Sequence, residues 1–343
     1  MKKLKIIIAP HDAPMYREIA RRLRVRGCEV AMVPLYWRKA VLLDLARIAW
    51  LALFKRYRVL HLQWLFHFPT MRILKAEFFF FKLLGLKLAW TIHNVMPHIK
   101  GSDDRERGRW LYHHADGKSI HYESNIPDLE NVLGVDTFDN LHIIPHPPYS
   151  LYPNEISRRE ARKKLGIDED KKVLLGFGGI RPNRGYEYFM DAMEILGNEY
   201  LGVIVGKAVC EQTGARLAER AESIRNLRLE LRYVDDSEVQ VYMNACDVVV
   251  LPYTRNTTSG VAMLAFEFSR PVVATALGSL PDMVEEGTGI VVPPCDAEQL
   301  AGAIRKIFTM DPPAMGRYAH ALVEQKSSWN SIIDKTIRLY ESL

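Results

Sequence analysis

The chain lacks a long hydrophobic run, although 48% of its 343 residues are hydrophobic. A helix that crosses a membrane needs about 20 consecutive apolar residues. Basic residues interrupt both of the most apolar regions, at Arg47 and Lys55 in the first and at Lys75 and Lys82 in the second. The apolar run near the N-terminus is short and has no small-residue cleavage site, so it predicts a buried strand and not a signal peptide. We therefore expect a cytoplasmic protein that does not span a bilayer.

Cysteine is scarce, and what there is forms no motif. The four cysteines are Cys28, Cys210, Cys246 and Cys295. They include no C-x-x-C pair, which argues against a zinc knuckle and against a disulfide framework. The acidic pairs Asp168 with Asp170 and Asp235 with Asp236 lie in polar turns, and we interpret them as solvated or capping residues. We predict no metal site and no bound cofactor.

A G-x-G-x-x-G turn is also missing after the first apolar run, which argues against a dinucleotide-dependent dehydrogenase. Short apolar runs instead alternate with helix-length segments along the whole chain. The runs begin at residues 4, 28, 59, 86, 117 and 141 and, after Lys171, at residues 172, 201, 227, 247, 271 and 289. This alternation predicts an α/β fold with two doubly wound parallel sheets covered by helices.

Prolines divide the chain between these two series of runs. Pro147, Pro148 and Pro153 disfavour regular structure, and Ser157 is placed to cap the next helix. We therefore predict a hinge at residues 146–158. The predicted divisions are an N-terminal Rossmann-like domain at 1–150, a C-terminal one at 151–325, and a final helix at 326–343 that packs back towards the N-terminal domain.

The segment LGFGGIRPNRGYEYFMDA, residues 175–192, carries the strongest functional signal. It combines a strand, a turn rich in glycine and arginine, and the start of a helix. The turn residues are Gly176, Gly178, Gly179, Arg181, Arg184 and Gly185. Glycines let the backbone approach an anion, a helix start offers unpaired N–H groups, and guanidinium groups bind phosphate oxygens in pairs. We predict a diphosphate site here; a tight strand-to-helix turn with solvated arginines is the alternative.

With these residues in view, the chain resembles retaining glycosyltransferases of group 1, family four, which have the GT-B fold of two facing Rossmann-like domains. The similarity is strongest over GGIRPNRG, YVDDSEVQVYMNACDVVVLPY and SRPVVATALGSLPDMVEEGTGIVVPPCDAEQLAGAI, in that order. The resemblance implies a site in the cleft between the domains. It also implies that a hexose moves from a UDP- or GDP-linked sugar to a saccharide acceptor, with retention of configuration and without a metal.

The resemblance also assigns residues to the donor. In such enzymes an arginine and a second basic residue in this turn hold the diphosphate, and Gly179, Arg181 and Arg184 match that place. Tyr233 and Val234 match the place where the nucleotide base is bound. A strand end followed by a helix that Asp236 caps is the alternative interpretation of that segment.

One motif of the family is absent. Many members carry two glutamates with seven residues between them, and Asn256 and Leu264 stand in their places. The small-residue turn that opens the following helix remains, and we expect its N–H groups to bind the diphosphate or a sugar hydroxyl. Its residues are Thr258, Ser259, Gly260 and Val261. Glu267 is the candidate replacement for the ribose contact, with a core or surface position as the alternative.

In the N-terminal domain the segment WTIHNVMPH places His93 and Asn94 after a strand, where similar enzymes carry a histidine close to the donor sugar and the acceptor. The loop after the first strand brings Asp12 to the same edge. These three residues are the predicted catalytic candidates, and a hydrogen-bonded strand-end histidine is the alternative for His93. Retention needs no general base; inversion would need one, for which Asp12, Glu123 and His93 are candidates.

Residues 37–54 and 66–88 mix basic with large apolar side chains, which is typical of helices that lie in the interface of an anionic membrane. Helices that merely cover a sheet have a similar composition. Together with the TSGV turn, which resembles a polysaccharide and glycolipid subgroup, this predicts a lipid-linked saccharide acceptor. We expect a peripheral position at the inner face of the cell membrane and no nucleic-acid partner.

Two other functions stay open. One is a nucleotide-sugar epimerase or phosphorylase, because a fold does not determine the chemistry that it supports. The other is a non-catalytic subunit that binds sugar nucleotides, which the absence of the two glutamates suggests.

Overall fold

The computed structural model describes residues 3–10, 14–35, 40–64, 68–93, 102–255 and 258–343. The chain divides into two compact units: Met1–Pro147 with Ser327–Leu343, and Pro148–Lys326. Each unit contains a six-stranded sheet in which all described strand pairs are parallel. The predicted fold class, with two doubly wound Rossmann-like sheets, is confirmed.

The sheet of the first unit has the strand order β2-β1-β3-β4-β5-β6. Its strands are β1 Lys5–Ala9, β2 Glu29–Met32, β3 Val59–Leu62, β4 Lys87–Thr91, β5 Gly117–Ile120 and β6 Leu141–Ile143. Its helices are α1 Pro14–Val25, α2 Val41–Phe54, α3 Met71–Leu83, α4 Ser102–His114, the short α5 Ile126–Asp128 and, from the end of the chain, α14 Trp329–Glu341. None of the helices in the described residues is long and apolar enough to span a bilayer.

Alternating strand residues place this sheet between two apolar cores. Ile6 and Ile8 of β1 face α1 and α14, whereas Ile7 faces α2, α3 and α4. Successive side chains of a strand point to opposite faces of a sheet. A strand whose consecutive residues are all apolar is therefore covered by helices on both faces. Helix α14 supplies four of its buried residues to the first of these cores, namely Ile332, Ile333, Leu339 and Tyr340.

The second unit repeats this architecture with the strand order β12-β11-β10-β7-β8-β9. Its strands are β7 Lys172–Phe177, β8 Tyr200–Val205, β9 Leu227–Glu230, β10 Val248–Leu251, β11 Val272–Thr275 and β12 Gly289–Val292. Its helices are α6 Arg158–Leu165, α7 Tyr186–Ile195, α8 Glu211–Ala221, α9 Val239–Ala245, α10 Gly260–Glu267, α11 Leu280–Met283, α12 Ala297–Thr309 and α13 Pro312–Lys326. The strand order reverses between β7 and β10, and ligands of open parallel sheets bind at such a switch point.

Two predictions about helix ends have different outcomes. Ser157 caps α6 as predicted, because its hydroxyl oxygen accepts from the N–H of Glu160, whose carboxylate accepts from the N–H of Ser157. The proposed cap by Asp236 is wrong: α9 begins at Val239, and Asp236 is exposed. The reason is that the carbonyl of Asp235 accepts from the N–H groups of Glu238 and Val239, which forms a turn first and delays the helix.

Candidate functional site

The glycine-rich turn of the second unit follows β7 at the switch point. Gly178 has φ +100° and Gly185 has φ +63°, a region that glycine adopts at little cost. A Cβ at Gly185 would collide with the carbonyl oxygen of Pro252. The N–H of Thr254 donates to the carbonyl of Asn183 over 3.1 Å. The turn after β7 therefore packs directly against the loop after β10.

Arg181 and Arg184 are the two positively charged residues of this turn. Both side chains are half-buried, and the Nε atom of each is buried without a hydrogen-bond partner. Among the described residues neither forms an ion pair. Burial, and secondly the charge of Arg184, lower the pKa of Arg181. An anion bound here would supply the missing hydrogen-bond acceptors and offset the repulsion.

A nearby groove of about 850 Å³ contains arginines in a different electrostatic environment from those of the turn. It also contains two arginines, but both are neutralised: Arg216 donates to Glu187 over 2.5 Å, and Arg220 pairs with Asp191. In the turn, where the sequence predicts the diphosphate, the two arginines have no such acidic partner among the described residues.

Tyr253, in the loop after β10, supports the second arginine. The guanidinium carbon of Arg184 lies 4.4 Å from the centre of the Tyr253 ring, a cation–π contact that contributes about 0.5–2 kcal/mol. The hydroxyl of Tyr253 lies 3.3 Å from Oγ of Ser259, and its carbonyl accepts from the hydroxyl of Thr275 over 2.8 Å. The sequence analysis did not identify Tyr253 as a site residue. Its position directly after an apolar run was the available signal.

The start of α10 lies next to the turn after β7 and adds further predicted donor residues to the candidate site. Ser259 is 1% exposed, and its hydroxyl oxygen accepts from the N–H of Ala262, so it serves as the helix cap. A Cβ on Gly178 would lie 3.5 Å from Cγ2 of Val261. The turn after β7 and the first turn of α10 are thus adjacent, and they bring together most of the predicted donor residues: Gly179, Arg181, Arg184, Thr258, Ser259, Gly260 and Val261.

The three remaining predicted donor residues are Tyr233, Val234 and Glu267. Tyr233 and Val234 follow the edge strand β9, with Tyr233 64% exposed and Val234 buried. Glu267 lies at the last residue of α10, about 10 Å along the axis from Gly260. Burial raises its pKa, and its charged neighbours are His320 and Glu324 of α13. The structure does not bring Glu267 to the turn.

In the first unit, His93 lies two residues after the end of β4, in a network of polar side chains. Its Nε2 atom is 3.0 Å from Oε1 of Gln63 and 3.2 Å from the hydroxyl of Tyr16. Its Nδ1 atom is 2.9 Å from Nε2 of His121, and its ring stacks on Trp64 with centres 4.6 Å apart. Burial lowers the pKa of His93, and neighbouring histidines add to the effect. The ring is therefore neutral at physiological pH.

Other buried polar groups extend this hydrogen-bond network beyond His93. His61 lies 2.7 Å from the hydroxyl of Tyr340 and 2.7 Å from that of Thr91. Burial lowers the pKa values of His61 and His121 to about 3. A cavity of about 30 Å³, the size of one or two waters, is lined by His61, Thr91 and His121 among other residues. His61 and Gln63 were not identified from the sequence, although both polar residues interrupt the apolar run that became β3.

The other two predicted catalytic residues, Asp12 and Asn94, lie outside the described residues. No group of three or more histidine, cysteine, aspartate or glutamate side chains in the described part of the chain is arranged to hold a metal ion.

Comparison with known proteins shows which family the second unit resembles. Residues 171–310 match the family model described as Glycosyl transferases group 1. This segment is therefore similar to group 1 glycosyltransferases. The match covers the turn after β7, the loop after β10 and the start of α10, and it confirms the resemblance seen in the sequence.

Two relatives show how far the sequence similarity to known glycosyltransferases extends. The chain is 29% identical to a D-inositol 3-phosphate glycosyltransferase of Mycolicibacterium vanbaalenii, over 53% of this chain and 43% of the relative. It is 27% identical to a GDP-mannose:glycolipid 4-beta-D-mannosyltransferase of Xanthomonas campestris, over 68% of this chain and 66% of the relative. The chain therefore spans less than two thirds of the length of either relative.

Solved structures match over nearly the whole chain. Anabaena HepE in complex with UDP and glucose has a TM-score of 0.78 at 16% identity and covers 99% of this chain and 100% of its own. Sucrose-phosphate synthase from Thermosynechococcus elongatus has a TM-score of 0.77 at 18% identity, over 99% of this chain and 98% of its own. At these identities the likeness establishes the fold, which is that of the GT-B glycosyltransferases.

Proposed function

We propose that this protein is a glycosyltransferase that moves a hexose from a nucleotide diphosphate sugar to a saccharide acceptor. The turn after β7 holds the diphosphate of the donor. One observation carries this proposal: Arg181 and Arg184 are half-buried cations whose Nε atoms have no partner, at the switch point of the sheet in the segment that matches the group 1 model.

The chemistry of transfer explains why two cations are needed there. Negative charge builds on the nucleotide diphosphate as the bond to the sugar breaks. Fixed cations bind that charge more tightly in the transition state than in the ground state, which is the condition for catalysis. The cation–π contact with Tyr253 holds Arg184 in place before the donor binds, so less ordering is required during the reaction.

We further propose a lipid-linked acceptor in the synthesis of envelope or extracellular polysaccharide, with retention of the sugar's configuration. The TSGV turn supports this acceptor, as does the name of the Xanthomonas relative, which is a glycolipid mannosyltransferase. Retention rests on the resemblance alone. NMR of the newly formed anomeric proton tests it, and a product of inverted configuration would contradict it.

A thermal-shift panel of nucleoside diphosphates and their sugars tests the donor site. A ligand at 100 times its dissociation constant adds about 2.7 kcal/mol to the free energy of unfolding. We expect UDP or GDP compounds to raise the melting temperature, and Arg181→Ala and Arg184→Ala each to remove most of that rise. Arg225→Ala, an exposed arginine of the same unit, is the matched control. Full shifts in both site variants would refute the assignment.

Turnover distinguishes this function from its rivals. A transferase releases nucleoside diphosphate only when an acceptor is present. An epimerase would change the donor sugar without an acceptor, and a phosphorylase would require inorganic phosphate. A binding subunit would show the thermal shift with no turnover on any acceptor. Nucleotide release measured with and without a lipid-linked saccharide pool identifies a transferase, and chromatography of the remaining donor distinguishes an epimerase from a binding subunit.

A further inference from the structure

Helices α2 and α3 of the first unit expose large apolar side chains on the faces that turn away from the sheet. Both helices cover the same face of the sheet, because their inward residues belong to one core. Their outward apolar residues are between 49% and 86% exposed: Leu42, Leu43, Trp50, Leu53, Phe54, Phe79 and Leu83. We call the outward sides of these two helices the α2–α3 face.

The spacing makes each outward side a continuous stripe. On α2 the exposed residues Leu43, Arg47, Trp50 and Phe54 follow one another at intervals of three or four. On α3 the exposed positions 72, 75, 79 and 83 do the same. Residues at these intervals are neighbours on a helix surface. The four consecutive phenylalanines of α3 differ in exposure: Phe78 and Phe81 are buried, whereas Phe79 is 64% exposed.

All exposed charge on the α2–α3 face is positive. Arg47, Arg72 and Lys75 are exposed. The acidic residues of the two helices, Asp44 and Glu77, are 8% and 7% exposed and so do not offset that charge. The residues directly after α2, Lys55 and Arg56, are basic and exposed as well.

The combination of exposed apolar side chains and positive charge favours one kind of binding partner for the α2–α3 face. Monomeric proteins rarely leave contiguous apolar surface of this kind uncovered. A symmetric contact with a second copy of the chain would place the same basic residues against one another, which is repulsive. A membrane with anionic lipid offers apolar depth for the leucine, tryptophan and phenylalanine side chains and negative phosphates for the arginine and lysine side chains.

We propose that the α2–α3 face docks on the surface of an anionic lipid membrane. The apolar side chains enter the interface, and Arg47, Arg72 and Lys75 bind the headgroups. The docking is independent of the proposed function, because no residue of this face belongs to the diphosphate turn or to the His93 network.

Vesicle flotation tests the docking. We expect the protein to bind vesicles of phosphatidylcholine with phosphatidylglycerol, to bind phosphatidylcholine alone much more weakly, and to lose affinity as salt rises. The double variant Arg47→Gln with Lys75→Gln should bind about 25-fold more weakly, since each basic residue contributes about fivefold. Leu43→Ser with Phe54→Ser should lower binding by at least about tenfold.

The control variant replaces exposed basic residues elsewhere, Arg159→Gln with Arg317→Gln, and should bind vesicles like the wild type. Unchanged nucleotide thermal shifts show that all variants are folded, and they keep this test separate from that of the donor site. Equal binding to neutral and anionic vesicles would overturn the proposal. So would wild-type binding by both face variants, or a dimer in sedimentation that the face variants dissociate without loss of vesicle binding.

Discussion

His121 determines which ring nitrogen of His93 carries hydrogen. The Nδ1 atom of His121 lies 2.9 Å from the carbonyl oxygen of Ile144, and a carbonyl only accepts. His121 therefore donates from Nδ1 and, being neutral, accepts at Nε2 from Nδ1–H of His93, 2.9 Å away. Nε2 of His93 is then the nitrogen that gains or loses a proton. The structure places Oε1 of Gln63 3.0 Å from this nitrogen, so neutral His93 requires the Gln63 amide to be rotated by 180°, with its NH₂ donating to Nε2.

Replacing His121 should therefore change the tautomer of His93. We expect His121→Phe to leave Nδ1–H of His93 buried without an acceptor. Loss of such a partner costs about 1–3 kcal/mol, so sugar transfer should slow by about 5- to 150-fold. His121→Gln, which keeps an acceptor, should recover most of the rate. Nitrogen-15 NMR of the His93 ring checks the cause: a ring protonated at Nδ1 in the Phe variant as fully as in the wild type would contradict it.

Stability should depend on pH through the buried histidines. Burial lowers the pKa values of His61 and His121 to about 3, whereas in the unfolded chain they are about 6.5. Between these values the unfolded chain binds more protons, so the free energy of unfolding falls as pH falls. The stabilisation is complete above about pH 6.5 and decreases by about 1.4 kcal/mol per pH unit for each histidine below it.

Urea denaturation across this window measures the effect. His61→Gln should lower the slope of stability against pH by about one proton between roughly pH 6.5 and 5, where most carboxylates are still ionised. A variant at an exposed histidine, His113→Gln, is the control and should keep the wild-type slope. An unchanged slope in His61→Gln would mean that His61 titrates in the native state as it does in the unfolded chain.

Tyr253 should affect donor binding through its ring and not through its hydroxyl. Tyr253→Leu removes the aromatic face under Arg184, and we expect the dissociation constant for the nucleoside diphosphate to rise about 2- to 30-fold. Tyr253→Phe keeps the ring and loses only the 3.3 Å contact with Ser259, so its affinity should stay close to that of the wild type. Isothermal titration calorimetry compares the two, and equal losses would place the effect on the hydroxyl.

Gly185 should tolerate no side chain. Gly185→Ala would force a left-handed backbone on alanine, at a cost of about 1–2 kcal/mol, and would push its Cβ against the carbonyl oxygen of Pro252. We expect a loss of stability larger than the backbone term alone. Gly197→Ala has nothing within 4 Å of its new methyl group and should change stability by less than about 0.5 kcal/mol. Similar urea midpoints for the two variants would contradict this packing.

Glu267 should be dispensable for the donor. Because its charged neighbours lie on α13, we expect Glu267→Gln to leave the nucleotide thermal shift unchanged. Arg184→Ala in the same assay provides the comparison. A loss in Glu267→Gln as large as that in Arg184→Ala would restore the ribose contact predicted from the sequence.

The sheets were predictable from the sequence because parallel strands buried on both faces are apolar throughout. Eleven of the twelve strands of the described residues fall within the predicted apolar runs, and β8 begins one residue before its run, at Tyr200. The diphosphate turn was equally accessible, since Gly178, Arg181 and Arg184 lie within a few residues of one strand. Patterns within short segments of the sequence were therefore sufficient to predict the two sheets and the diphosphate turn.

Long-range packing accounts for what the sequence did not predict. Tyr253 meets Arg184 only because β10 pairs with β7. The orientation of Glu267 is determined by the packing of α10 on α13. Helical spacing alone could not distinguish a ribose contact from a core or surface position for this residue. His61 lies in a run that is otherwise apolar, and its partner Tyr340 belongs to the last helix of the chain.

That hydrogen bond between His61 and Tyr340 also bears on synthesis at the ribosome. The first unit contains β3 but receives α14 only after Pro148–Lys326 has been made. Until then the faces of β1 and α1 that Ile332, Ile333 and Leu339 cover remain open to water. The domain that begins first is thus completed last, so the nascent protein must carry an uncovered apolar surface through the folding of its second half.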